Sequence, residues 1–420
     1  MTPPIGQGTQ LGDNELVLRI GRGGMATVWV ARQRRPEPLG DRLVAVKVML
    51  DELADEAEFV KMFLDEVRLM RSIQHPNVVE VYDVGQSSVM WMSMEWLEGE
   101  SLHALIAEAG KRRAIPPDVA VRIVADVASG LHAAHELRGP DGRPLGVVHR
   151  DVSPQNILIS TNGSVKLVDF GVAKALGRVS EATRTGQLKG KFGYMSPEQA
   201  LGKAVDRRSD VFALGVVLFE VTTNRRLFRG DSDIGTLKLI TSGSVPKPSN
   251  IDPSYPPELE RIVLRALERK REARYQTALE FAEDLRAFLK AQHVVVPSAG
   301  IAGLLKRVLG ERIEKRRKGV RDAIKLMSFA SQPGADLLPS EAVFTPTGPD
   351  KLSVSGISGV TASGVAAPPI TGSGASLDAP KTPSRNAQGA ARLHWLGAIG
   401  YAIGVLGLVI ALVVLLLLGS

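Results

Sequence analysis

"HRDVSPQN" at 149–156 sets a histidine, an arginine, an aspartate and an asparagine around a Ser-Pro turn within an apolar stretch. Asp151 can accept a proton from a hydroxyl, and Asn156 offers a hard amide oxygen of the kind Mg²⁺ takes. Either residue alone reads equally well as a satisfied loop residue. A little downstream, "VKLVDFG" ends a strand-like run at Asp169, a second hard oxygen donor, and the following glycine lets the chain turn sharply. Together, Asp151, Asn156 and Asp169 point to chemistry on a magnesium-bound phosphate.

A phosphate ligand needs a cradle, and "GRGGMATV" at 21–28 supplies a candidate. Gly21, Gly23 and Ala26 satisfy the dinucleotide fingerprint G-x-G-x-x-G/A, but that fingerprint opens a helix. Here 26–30 continues as β-branched and aromatic strand, so the loop reads as a hairpin whose backbone amides close over phosphates. Lys47 in "VAVKV" is a lysine on an otherwise apolar strand. The helical period over 56–73, with Phe59, Phe63, Val67 and Met70 on one face, carries Glu66 on a turn that can face it. Such a pair would hold the lysine extended toward phosphates.

Strand-like alternation in "ELVLRI", "ATVWVARQ" and "RLVAVKVML" predicts three antiparallel strands, and two more runs follow at 78–84 and 89–94. From 101 onward the pattern is mainly helical, with short strands at 157–159 and 165–168. The fold class is therefore α+β: a small β-rich lobe with one main helix, 15–95, ahead of a larger helical lobe, 101–291. Residues 1–14 read as a flexible tail.

In order and spacing these elements resemble a Hanks-type (eukaryotic-like) bacterial serine/threonine protein kinase over roughly 15–290. The resemblance extends to "MEWLEG" from Met94, where the family places its gatekeeper and hinge, and to "SPE" at 196–198. It also covers "SDVFALG" at 209–215 and Arg274 in "ARYQTA", the family partner of the SPE glutamate. It implies the bilobal protein-kinase fold, ATP and Mg²⁺, and protein substrates bearing Ser or Thr. Carried over, amides of Gly21, Arg22, Gly23 and Gly24 cover the phosphates, Lys47 contacts them, and Glu66 orients Lys47. Ile20, Val28, Ala45 and Leu158 sandwich adenine, while the backbones of Glu95 and Leu97 bond its edge. Asp151 positions and deprotonates the substrate hydroxyl, and Asn156 and Asp169 hold Mg²⁺. Arg150 awaits a phosphorylated activation segment, with Thr183 and Thr185 in "EATRTG" as the candidates.

Two positions depart from the family. The lysine usual two residues after the catalytic Asp is Ser153, and the threonine usual in the substrate-binding end of the activation segment is Lys191. A lysine and a hydroxyl have traded places, so Lys191 is expected to supply the phosphate-facing charge and Ser153 the hydroxyl. The alternative is a nucleotide-binding pseudokinase that serves as a scaffold.

At 420 residues the chain suggests two or three folded units, and it contains no cysteine, which excludes disulfides and thiolate metal sites. Much of the net charge of +7 lies over 306–325. There a helical stripe of Ile301, Leu304, Leu305, Val308 and Ile313 opposes a basic face that includes "KRRK" at 315–318. This extension, 292–330, either rests on anionic headgroups or packs on the large lobe. Without aromatic interleaving, nucleic acid is not an expected partner. Residues 331–392 are rich in Pro, Gly, Ser and Ala and read as a disordered tether spanning about 45 Å. The uncharged run 396–418 is long enough to cross a bilayer. With Lys381, Arg385 and Arg392 before it, the expectation is a single-pass tail anchor in the cell membrane with a cytoplasmic kinase domain. A homodimer is expected either through the small lobe or through Gly400 and Gly404.

Overall fold

A computed structural model of the chain describes residues 5–36, 39–50, 57–87, 89–109, 115–170 and 192–330. The expectations for Thr183, Thr185, Lys191, the tether and the 396–418 run lie outside them. Among the described residues, no helix is long and apolar enough to cross a membrane.

Six antiparallel strands form one sheet in the order β1-β2-β3-β4-β6-β5. They are β1 Gln10–Leu11, β2 Asn14–Arg22, β3 Ala26–Gln33, β4 Arg42–Met49, β5 Val81–Gln86 and β6 Met90–Glu95. The period of two along β4 decides its two faces. Val44, Val46 and Val48 join Leu16, Trp29 and Trp91 in one cluster. Ala45 and Met49 turn the other way, toward Phe63, Val67 and Met70 of α1, Ala57–Ser72. Lys47 shares that second face, so its head is aimed between sheet and helix.

The 1–14 segment is not a loose tail throughout. Leu11 is buried with Ile5 against Trp29 and Trp91 at the end of the sheet, and Asn14 Nδ2 donates to Leu11 O. Gly12 makes this possible: it has φ +58, and a Cβ there would strike the Trp91 ring at 2.8 Å.

The larger lobe carries a three-stranded sheet, β7 Gly99–Ser101, β8 Ile157–Ser160 and β9 Val165–Leu167. Its helices are α2 Leu102–Ala109, α3 Pro117–His135, α4 Pro197–Ala200, α5 Arg208–Thr223, α6 Asp233–Ser242, α7 Pro257–Ala266, α8 Ala278–Ala291 and α9 Ser298–Ala330. A helix apolar on all sides belongs in a core, and α5, "RSDVFALGVVLFEVTT", is buried from Ser209 to Val221. The left-handed Asn224 ends it. Ser196 caps α4 in a reciprocal capping box with Gln199, with Pro197 at the first helical position.

The expected basic extension is α9, and it packs on both lobes. Ile301, Leu304, Leu305, Leu309 and Ile313 enter the large core, while Val320, Ala323 and Met327 cover Val17 and Val30 of the small lobe. Within the "KRRK" run Arg316 and Arg317 are taken up by Glu100 and Glu98, leaving Lys315 and Lys318 exposed. The run is thus half committed to the protein's own carboxylates.

Two buried polar arrangements set the loops. Glu198 of α4 accepts two bonds from the Arg274 guanidinium, at 2.7 and 2.9 Å, and one from the Ser209 hydroxyl. Burial pushes the Glu198 carboxyl up, but these bonds outweigh it and hold it below its ordinary value. Asp210, in the first turn of α5, accepts from the backbone N–H of His149 (2.7 Å) and of Arg150 (2.9 Å) and lies 2.8 Å from His135 Nε2. Arg150 has φ +63, which a residue with a Cβ adopts at a cost, and Asp210 holds it there. His149 is fully enclosed. Burial lowers its pKa against the pull of Asp210 and Asp151, so it stays neutral, with Nδ1 accepting from Asp151 N–H and Nε2 3.2 Å from Val168 O.

Arg274→Met should therefore strand a buried carboxylate and cost about 3–5 kcal/mol. The urea midpoint reports this, and Glu198→Gln with Arg274→Met should lose less because no charge is left unpaired. For His149, the unfolded chain takes up a proton that the folded chain refuses. Its contribution is whole above about pH 6.5, starts to fall there and is lost progressively as pH falls toward the folded value. His75, His103 and His132 are shifted the same way. The thermal midpoint should fall between about pH 7.5 and 5.5, and fall less in His149→Asn.

Candidate active site

The β3–β4 register sets Val28 beside Lys47, and Met92 flanks it on β6. Lys47 Nζ lies 2.7 Å from Glu66 Oε1 of α1 and 3.0 Å from Asp169 Oδ1 just beyond β9. Burial pulls the ammonium's pKa down, but Asp169 and Glu66 more than offset it and raise the pKa above its ordinary value, so Lys47 stays charged. Burial also raises the Glu66 carboxyl against the attraction of Lys47.

The 149–156 loop is tied to the end of β9. Val168 N donates to Asn156 O at 3.0 Å, which carries Asp169 to the Asn156 side of the cleft. Asp169 has φ +55, and the next residue, Phe170, turns inward and packs its ring 4.5 Å from that of His149. Asn156 is buried, and its Nδ2 donates to Asp151 O at 2.8 Å and to Asp151 Oδ2 at 3.0 Å. This fixes the amide's orientation: the nitrogen is spent on Asp151, and the oxygen is left as the acceptor. With the Asp169 carboxylate, it makes a pair of hard oxygen donors that fits Mg²⁺, an ion that takes few protein ligands and completes its shell with water and phosphate. Among the described residues no group of three or more His, Cys, Asp or Glu side chains could hold a metal by itself.

Gly21 and Val28 are paired across the β2–β3 hairpin, and Gly23 N donates to Ala26 O at 2.8 Å. The glycine run is a strand hairpin, with Arg22, Gly23 and Gly24 exposed at its tip and Gly21 half-buried behind them. Ala45 is buried opposite Met94, while Ile20, Val28 and Leu158 are half-buried, so apolar surface from both lobes faces the cleft. Glu95 and Leu97 follow as the connection between lobes. Glu95 N donates to Glu80 O, and its carboxylate binds Lys166 Nζ at 2.5 Å.

Ser153 is 1% exposed, and its Oγ has no hydrogen-bond partner among the described residues. Arg150 O accepts from Gln199 Nε2 at 3.1 Å, joining this loop to α4, and its half-buried guanidinium forms no ion pair among the described residues. Asp210 was not singled out as a site residue in the sequence, although it sets the loop's conformation. An acidic residue in the first turn of an otherwise apolar helix was the available signal. The Lys166–Glu95 pair and the bonds from α9 to Glu98 and Glu100 had no such signal, because they join segments far apart in the chain.

Residues 15–316 match the protein kinase domain family. Among curated relatives, the chain is 42% identical over 298 residues to Tyrosine-protein kinase MasK of Myxococcus xanthus, covering 70% of this chain and 46% of that protein. It is 36% identical to Serine/threonine-protein kinase PknB of Mycobacterium leprae, with 68% and 43% covered. With Serine/threonine-protein kinase PrkC of Bacillus subtilis the identity is 34%, with 68% and 42% covered. The matched region is thus less than half the length of each of these relatives. The crystal structure of the PknI kinase domain of Mycobacterium tuberculosis superposes with a TM-score of 0.50 at 24% identity, covering 68% of this chain and 99% of that one, and shares the fold. The bilobal architecture, the cleft and the family match agree, and the chain belongs to the protein kinase domain family.

Proposed function

We propose that the protein is a serine/threonine protein kinase that moves the γ-phosphate of ATP to hydroxyls of protein substrates and of its own activation segment. The observation that carries this reading is the Lys47 ammonium held at once by Glu66 and Asp169, beside an Asp151 carboxylate bonded by Asn156. In phosphoryl transfer the protein's part is positioning and electrostatics. The substrate oxygen forms a bond to the γ-phosphorus, the bond to the β–γ bridging oxygen breaks, ADP leaves, and Asp151 accepts the hydroxyl proton. Lys47, kept extended by Glu66, meets the phosphates. Mg²⁺, held by Asn156 and Asp169, supplies charge neutralisation for those phosphates when bound.

Ser153 leaves this site without the lysine that family members place in the catalytic loop. Its hydroxyl, buried and without a hydrogen-bond partner among the described residues, supports the exchange in which Lys191 supplies that charge and Ser153 takes the role of the threonine. The same vacancy favours a second reading, a nucleotide-binding pseudokinase scaffold. The apolar, uncharged run 396–418 supports anchoring in a bilayer, with the kinase domain on the cytoplasmic side.

Full-length protein incubated with γ-labelled ATP and Mg²⁺ should label itself and a protein substrate on serine or threonine. Lys47→Met and Asp151→Asn should each lower the rate by about 10²-fold or more. Nucleotide binding without transfer establishes the scaffold, and phosphotyrosine as the sole product moves the acceptor class to that in MasK's name. Lys191→Thr should abolish transfer, and adding Ser153→Lys should restore it. A Lys191→Ala rate within about twofold of wild type ends the exchange.

A further inference from the structure

Helix α9 holds both lobes. Over its 33 residues, about 50 Å at about 1.5 Å per residue, one half is seated in the large lobe's core and the other on the small lobe's sheet. The small-lobe seat, Val320, Ala323 and Met327, packs with Val17 and Val30, and Ile20, Leu43 and Trp96 border the same cluster. Ile20 is an adenine-sandwich position and Trp96 lies between the hinge residues Glu95 and Leu97.

Between the two seats the helix bonds the three residues that follow Leu97. Arg317 donates to both carboxylate oxygens of Glu98, at 2.6 and 2.8 Å. Arg316 donates to Gly99 O at 2.9 Å and to the Glu100 carboxylate, which Arg312 also reaches at 2.9 Å. The Glu100 side chain is 4% exposed, and a carboxylate so enclosed requires partners. The Arg317 bonds hold the Glu98 carboxyl below its ordinary value. A cavity of about 90 Å³ behind the hinge is lined by Leu43, Trp96, Arg316, Arg317, Val320 and Ile324. Contact at this point therefore combines directed ionic bonds with apolar packing around the cavity.

We propose that α9 forms the rear wall of the nucleotide cleft. Arg316 and Arg317 are positioning residues for the hinge, and the Val320–Ala323–Met327 seat fixes the strand that carries Ile20. A change in the angle between the lobes would have to break one seat or the hinge bonds, so the helix sets how readily the cleft closes on nucleotide. This rests on the reading of the cleft as an ATP site.

The test measures ATP dissociation constants, and KM for ATP and for protein substrate, on the full-length chain. Arg317→Glu opposes Glu98 with a like charge and should weaken ATP binding about fivefold while leaving the protein-substrate KM within about twofold. Glu98→Arg combined with Arg317→Glu restores the pair and should recover wild-type affinity. Val320→Asp, at the seat, should weaken ATP binding in the same direction. Arg317→Ala serves if the reversed variant does not fold, with a smaller loss expected. ATP affinity unchanged in the folded variants at both Arg317 and Val320, or a loss that the charge exchange does not recover, overturns the proposal. If the wild-type chain binds no ATP, the nucleotide reading itself falls, a result distinct from binding that is indifferent to α9.

Discussion

The Lys47 ammonium is the point where the two lobes meet in charge. It sits on a strand of the small lobe, its first carboxylate comes from α1 of the same lobe, and its second, Asp169, comes from the loop after β9. Unpaired, an enclosed ammonium loses its proton or moves to water, so the contact requires all three segments to be in register. That requirement reaches far. The alternation of β4 must turn Lys47 inward, α1 must pack Phe63, Val67 and Met70 under the sheet so that Glu66 faces the strand, and β9 must be tied to Asn156.

Rigidity on the Asp169 side comes from buried acids that do no chemistry. Asp210 holds a left-handed Arg150 by its backbone, and Glu198 is closed in by Arg274 and Ser209. Both carboxylates lie at helix N-termini, where the helix dipole favours negative charge. Both also link loops to α4 and α5, the framework of the large lobe. The price of enclosing these acids is offset only while every partner is present, so the loop is held in one arrangement.

How much of this was legible in the sequence follows from the range of each interaction. The strands over 14–49, the helix near 57–72 and the turn at 149–156 were readable because periodicity and turn residues are local. The Lys47–Glu66–Asp169 constellation was readable through resemblance, since its members sit in short motifs. What escaped were contacts whose partners lie far apart in the chain: Leu11 closing the sheet against Trp91, Lys166 on Glu95, and Arg312, Arg316 and Arg317 on Glu98 and Glu100. A basic helical face carries no mark of whether lipid, solvent or a distant acidic pair will neutralise it. Composition favoured none of these, and the fold gives Arg312, Arg316 and Arg317 to the acidic pair while Lys315 and Lys318 stay exposed.

The domain boundary illustrates the same point. A kinase lobe ending at Ala291 with α8 is a natural close by pattern, because α9 follows a short connection and its composition changes. The family match instead runs to Arg316, inside α9, and the small-lobe seat begins at Val320, beyond that match. The stripe from Ile301 to Ile313 is buried as thoroughly as other core helices, so removing it would expose the large lobe's own core. Continuing the same helix past Arg316 then places its last turns on the other lobe without a second nucleation step, because each residue added to a nucleated helix gains its own backbone hydrogen bond. An element that completes one lobe thereby becomes a brace on the other. The physical unit therefore extends through Met327, and its end is set by the sheet it reaches and not by the motifs that name the family.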